Sequence, residues 1–134
     1  MSCTCSVAAC PPGNYTRVDS QLCHVGIFSD PRDVLADAHM LSKVFKKRKF
    51  DLIVADPPYT KADAARYNTP MVHRKRVLEE CSKVLEPGGF VVWLDTVWPM
   101  IAKKYLKLVG VIGILRSQNH RVRFTFIMQK PGKT

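Results

Sequence analysis

Residues 50–59, Phe-Asp-Leu-Ile-Val-Ala-Asp-Pro-Pro-Tyr, restrict the fold of this chain more than any other stretch. The apolar, branched run through Leu52, Ile53, Val54 and Ala55 predicts a fully buried strand over 50–55, of the kind found in parallel sheets. Pro57 and Pro58 then stop its ladder, because each fixes φ and lacks an N–H. A carboxylate, Asp56, and a ring, Tyr59, are thereby held on a stiff turn at the carboxyl end of a central strand. In an open α/β sheet, that edge is where ligands bind.

The chain that follows alternates helix and strand. Val77, Leu78, Cys81, Val84 and Leu85 fall on one helical stripe, which predicts a helix over 74–85 ended by Glu86-Pro87-Gly88-Gly89. Phe90 to Leu94 reads as a second buried strand, with Asp95 just past its end. A helix is expected over 98–108, with Pro99 in its first turn, then strands over 109–115 and 121–129. Ser117-Gln118-Asn119-His120 between them has hairpin length. Upstream, His24 to Phe28 is a short strand candidate and 31–45 suits a helix, with Asp30 as N-cap and Pro31 at its first position. Tyr15 to Val18, ending in Asp19, reads as an earlier strand.

An acid-Pro-Pro-aromatic loop at a strand end, followed by helix, Leu-x-Pro-Gly-Gly and strand, resembles S-adenosylmethionine-dependent methyltransferases that act on planar amino nitrogens. The family includes adenine-N6 and cytosine-N4 DNA methyltransferases, guanine-amino RNA methyltransferases and a glutamine methyltransferase. The implied fold is α/β, a Rossmann-like class I methyltransferase domain, truncated or degenerate in its N-terminal half and ending in an antiparallel edge strand. The chemistry accounts for the motif. The lone pair of a ring-conjugated amine is delocalised, so the amine is a poor nucleophile. Two acceptors, the Asp56 carboxylate and the Pro57 carbonyl, hold its N–H groups and offset the charge that develops. Pro58 stiffens the turn, and Tyr59 offers a face for an extruded base.

The resemblance also implies that the 117–120 hairpin and Asp95 share the carboxyl edge with Tyr59. Arg116, Asn119, His120 and Arg121 then face the substrate, and Trp93, Asp95, His120 and Arg121 are candidates for substrate contact. As a plain reading, 117–120 is a polar hairpin tip. By the same likeness Asp30 meets the adenine of the cofactor, S-adenosylmethionine, and Asp19 its ribose; Asp30 also has a structural role as a cap. The family's glycine-rich cofactor turn is missing. The glycines are 13, 26, 88, 89, 110, 113 and 132, and none makes such a turn before the catalytic strand, Gly110 to Gly113 being a weak substitute. The expected function is methylation of an exocyclic amine of a DNA base, adenine favoured, by a small phage-type DNA methyltransferase-like protein. The alternatives are a catalytically silent nucleic-acid-binding protein, or a subunit whose cofactor site a homo-oligomer or partner chain completes.

Charge fits a nucleic-acid partner. Twenty-one Lys and Arg against 11 Asp and Glu give a net charge of +10. The basic runs 46–49, 73–76 and 116–123 suit phosphates, and Arg74, Lys75 and Arg76 lie nearest the proposed active edge. This favours nucleic acid over a protein glutamine as substrate. At 134 residues and 46% hydrophobic, the chain is expected to form one domain over 15–134 behind a flexible leader over 1–14. No apolar run approaches a membrane span, and a cytoplasmic protein is expected. Cys3, Cys5, Cys10 and Cys23 lack the usual knuckle spacing, so no metal is expected; Cys81 belongs to the core stripe.

Overall fold

The strand 50–55 forms as expected, at the centre of a mixed α/β sheet. A computed structural model describes residues 7–8, 17–19, 34–118 and 120–132, the first three strands through their backbone alone. In chain order the strands are β1 (Val7–Ala8), β2 (Arg17–Asp19), β3 (Val34–Leu35), β4 (Phe50–Ala55), β5 (Leu85–Asp95), β6 (Lys107–Leu115) and β7 (Val122–Gln129). Among the described residues their spatial order is β3-β2-β1-β4-β5-β7-β6. β4 and β5 are parallel, and Ala55 lies beside Trp93. The last strand in the chain, β7, is antiparallel and inserts between β5 and β6, leaving β6 as the edge. Val7–Ala8, inside the stretch expected as a leader, pairs with Val54 and Ala55. The rest of 1–14 lies outside the described residues, as do the 24–28 strand candidate, Asp30, Asn119 and Cys3, Cys5, Cys10 and Cys23.

The described helices are α1 (Leu41–Phe45), α2 (Lys61–Arg66) and α3 (Arg74–Val84). One face of the sheet carries the core. Ile53, Ala55, Val91, Trp93, Phe126 and Met128 bury themselves with Val77, Leu78, Cys81 and Val84 of α3 and Leu41 of α1. Glu80 ties α1 to α3, accepting from the Ser42 N–H at 2.8 Å and its hydroxyl at 2.6 Å. His39 adds a second tie: its Nδ1 lies 2.6 Å from Asp37 Oδ1, and its Nε2 accepts from the His73 N–H at 2.9 Å.

Three sequence expectations are corrected. Among the described residues of the helix expected over 31–45, helix begins at Ala38, as a 3₁₀ turn Ala38–Met40 running into α1. Val34–Leu35 is strand instead, and the cap is Asp37, which accepts from the His39 N–H at 2.9 Å. The 98–108 helix is absent. Only one turn closes, with the Tyr105 and Leu106 N–H groups on the Ala102 carbonyl at 2.9 and 3.3 Å. Its apolar residues are drawn to separate anchors: Trp98 packs edge-on against Phe126 at 5.2 Å, Leu106 is buried, and Leu108 enters β6. A short helix depends on one shared packing face, and none forms.

The third correction concerns Glu86-Pro87-Gly88-Gly89. These residues do not close α3 but lie inside β5 as a bulge, between the pairings of Phe50 with Leu85 and of Leu52 with Phe90. Gly88 takes φ +82°, and a Cβ on Gly89 would stand 2.9 Å from the carbonyl oxygens of Asp51 and Glu86. The bulge is closed from β7: Gly88 N–H donates to the Lys130 carbonyl at 3.0 Å, and Lys130 N–H to the Gly89 carbonyl at 2.9 Å. At the far edge β6 is exposed on both faces through Val109, Val111, Ile112, Ile114 and Leu115.

Candidate active site

Strand β4 delivers Asp56-Pro57-Pro58-Tyr59 to its carboxyl end, and the two prolines are buried there. Thr60 then starts α2. Its hydroxyl accepts from the Asp63 N–H at 3.1 Å and donates to the Asp63 carboxylate at 2.8 Å. This reciprocal cap fixes the exit of the loop as firmly as the prolines fix its entry.

Asp56 is half-buried. The Tyr59 hydroxyl donates to its Oδ1 at 2.5 Å; among the described residues its Oδ2 has no hydrogen-bond partner. Loss of water contact pushes the Asp56 carboxyl above its ordinary value, and the nearby Asp95 charge adds to this, while the Tyr59 bond and the Arg123 charge oppose it. Burial first, then the bond to Asp56, hold the Tyr59 hydroxyl protonated well beyond its usual range. Arg123, from β7, lies with its guanidinium carbon 5.0 Å over the centroid of the Tyr59 ring.

Beneath the loop, Arg74 and Asp95 form a brace. Arg74 Nε donates to Asp95 Oδ2 at 2.6 Å, and its Nη2 to Asp95 Oδ1 at 3.1 Å and to the Tyr59 carbonyl at 2.8 Å. Asp95 has no solvent exposure and also accepts from Trp93 Nε1 at 3.1 Å and from the backbone N–H groups of Thr96 and Val97 at 2.8 and 3.2 Å. The bidentate bond to Asp95 is the main reason the Arg74 guanidinium holds its proton beyond its usual range.

The sequence-predicted residues divide accordingly. Asp56, Pro57, Pro58 and Tyr59 come together. Trp93 and Asp95, expected to contact substrate, are fully buried and support the loop from below. Arg74, expected on phosphates, is committed to the brace, whereas Lys75 and Arg76 are exposed on the first turn of α3. His120 and Arg121 reach the same carboxyl edge, since Leu115 pairs with Val122 two positions beyond Asp95 along β7. His120 is exposed, with φ 51° and its N–H on the Arg116 carbonyl at 3.0 Å. Arg121 Nη1 lies 3.7 Å from Asp63. Of Asp19 the structure describes the backbone, paired with Leu35.

Two contributors escaped the sequence reading. Arg123 is signalled by strand alternation, which puts it on the same face as Arg121 and opposite Phe124. Helix α2 is signalled by Thr60-x-x-Asp63, a capping pattern. Among the described residues no group of three His, Cys, Asp or Glu side chains is placed to hold a metal. Gly110 and Gly113 sit in β6 opposite Ile127 and Phe124, so they make no cofactor turn.

No protein-family model and no curated protein sequence matches the chain. Among solved structures it is similar to TrmN from Thermus thermophilus, with a TM-score of 0.55 and 22% sequence identity. The match covers 74% of this chain and 28% of TrmN, so the chain spans less than a third of that protein's length. The likeness is one of fold: a mixed α/β, Rossmann-like sheet.

Proposed function

We propose that this protein methylates an exocyclic amine of a nucleic-acid base, with S-adenosylmethionine as methyl donor and adenine N6 in DNA as the first-ranked substrate. One observation carries the reading: a half-buried carboxylate, Asp56, stands beside a ring, Tyr59, on a rigid loop at the carboxyl end of β4. RNA is the second-ranked substrate, since the basic surface that suits phosphates does not separate the two nucleic acids.

The chain's own groups have defined tasks. Asp56 Oδ2 and the Pro57 carbonyl accept the two amine N–H bonds and turn the nitrogen lone pair toward the incoming methyl carbon. Because the Asp56 carboxyl is raised by burial, Oδ2 also accepts the surplus amine proton once the N–C bond has formed. Tyr59 stacks on the base, and the Arg74–Asp95 brace fixes the Tyr59 backbone. The cofactor supplies an activated methyl group. Among the described residues, the loop and its brace support the amine half of such a site. The described residues do not provide a glycine cradle for the methionine half, because Gly88 and Gly89 lie in the β5 bulge and Gly110 and Gly113 in β6.

The test is transfer of a radiolabelled methyl group from S-adenosylmethionine to duplex DNA, single-stranded DNA and tRNA. Transfer by the wild type and none by Asp56→Ala, with an unchanged circular dichroism spectrum, supports the reading. Equal transfer by both proteins removes it. Nucleic-acid binding without transfer or cofactor affinity replaces it with a silent binding protein.

A further inference from the structure

Arg123 differs from the other basic groups around the loop. Arg74 is committed to Asp95 and the Tyr59 carbonyl, and Arg121 is directed at Asp63. Lys75 and Arg76 are exposed to solvent. Arg123 lies against the Tyr59 ring, where its Nε is buried and has no hydrogen-bond acceptor among the described residues. A buried N–H of a charged group without an acceptor is destabilising, and native structures rarely keep one without cause. A ligand oxygen that reaches this N–H removes the cost on binding.

The surroundings restrict what that oxygen belongs to. Arg123 is planar and permanently charged, and it binds best to an oxyanion that accepts two parallel N–H bonds. The Asp56 carboxylate of the loop takes the Tyr59 hydroxyl on Oδ1 and accepts nothing from Arg123 Nε. The Tyr59 ring has two faces, one covered by the Arg123 guanidinium. A flat ligand uses the other face, so an anionic group must pass round the edge of the ring to reach Arg123. A base carrying a phosphate on its sugar has that shape. An amide side chain of a protein has no anion to offer.

We infer that Arg123 is a phosphate-binding residue: it holds the phosphate ester of the same nucleotide whose base lies against Tyr59 and Asp56. The proposal rests on the base-amine reading of the loop and deepens it, by making the ligand a nucleotide rather than a free nucleoside or a protein amide. The phosphate has two possible sources, a free nucleotide or a phosphodiester within a strand, and the chemistry at Arg123 is the same for both.

The experiment is an NMR titration of the whole chain that follows the Arg123 Nε–H and the Tyr59 ring signals. The probes are adenosine, adenosine 5′-monophosphate and inorganic phosphate. Wild type should bind the monophosphate at least tenfold more tightly than adenosine, with a downfield shift of the Arg123 Nε–H. Arg123→Gln should erase that advantage while leaving adenosine affinity within twofold, and Arg123→Lys should restore part of it. Equal affinity for the two probes in wild type overturns the proposal, whether or not any variant folds. So does an advantage that persists in Arg123→Gln. Inorganic phosphate moving the Nε–H while adenosine leaves Tyr59 unmoved upholds the phosphate site and overturns the base-amine reading instead. A short oligodeoxynucleotide bearing a neutral methylphosphonate beside one adenine separates the sources. A loss equal to that of Arg123→Gln assigns the phosphate to a strand, and no loss assigns it to a free nucleotide.

Discussion

The Tyr59 hydroxyl donates to Oδ1 of Asp56 at 2.5 Å across three residues, so the ring and the carboxylate of the loop hold each other. The bond keeps a half-buried carboxylate from standing unpaired, and the burial of that carboxylate sets the loop's response to pH.

Asp56 is raised above its ordinary value by burial, so its ionisation opposes folding. A carboxyl of this kind leaves stability intact below its unfolded value of 3.8, and stability falls as pH rises through the higher folded value. Asp56→Asn removes that charge and keeps an acceptor for Tyr59. It should therefore melt above the wild type at pH 7, with the gap closing near pH 3, in thermal melts followed by circular dichroism. A gap independent of pH would refute this account.

The chain has four tyrosines. Tyr59 should ionise last in an alkaline titration followed by absorbance, because its hydroxyl is raised by burial and by the Asp56 bond. Tyr59→Phe should remove the latest step and lower stability by about 1 kcal/mol, the usual net worth of one hydrogen bond.

The basic run 73–76 should divide into two classes of effect. Asp95→Ala leaves Arg74, Trp93 Nε1 and two backbone N–H groups without their acceptor. Breaking such a pair costs about 3–5 kcal/mol, and Arg74→Ala should be of similar size in urea unfolding. Lys75→Ala with Arg76→Ala should leave the melt unchanged. It should weaken oligonucleotide binding and reduce the slope of log K against log salt by about 2, one for each lost phosphate contact. An unchanged slope would make these two residues a solvated helix face.

The β5 bulge gives a ranked pair. Gly88→Ala should cost about 1–2 kcal/mol for the left-handed backbone at φ +82°. Gly89→Ala should cost more, since its Cβ meets two backbone oxygens at 2.9 Å and neither is the end of a flexible side chain. Urea denaturation measures both.

Isolated chain should bind S-adenosylmethionine more weakly than micromolar in calorimetry, because no described glycine forms a turn around the methionine moiety. Micromolar binding by a monomer would show that other backbone supplies the cradle.

The β4 strand, its loop, α3 and the second half of β5 were legible because each is signalled by neighbours within one turn or one strand. Gly88-Gly89 was misread because a helix stop and a strand bulge both call for a backbone that only glycine takes readily, and the sequence alone does not separate them. The 98–108 stretch has helical apolar spacing, but the faces that would hold a helix belong to Phe126 and to β6, which are distant in the chain. The same holds for the site. Asp56 and Tyr59 are neighbours on one loop, a juxtaposition legible in the sequence, while the Arg74–Asp95 brace and the placement of Arg123 over Tyr59 depend on strand register.

Strand β6 bears on how the protein behaves in the tube. Between Lys107 and Arg116 it carries no charge and no proline, and among the described residues its outer backbone is the end of the sheet. An uncharged, two-sided apolar border of this kind is a template for further strands, which natural sheets usually blunt with charge, proline or a cover. Mutual repulsion from the net charge of +10 opposes the approach of such borders. Added salt screens that repulsion. High salt should therefore drive this protein toward turbidity, and low ionic strength should keep it clear.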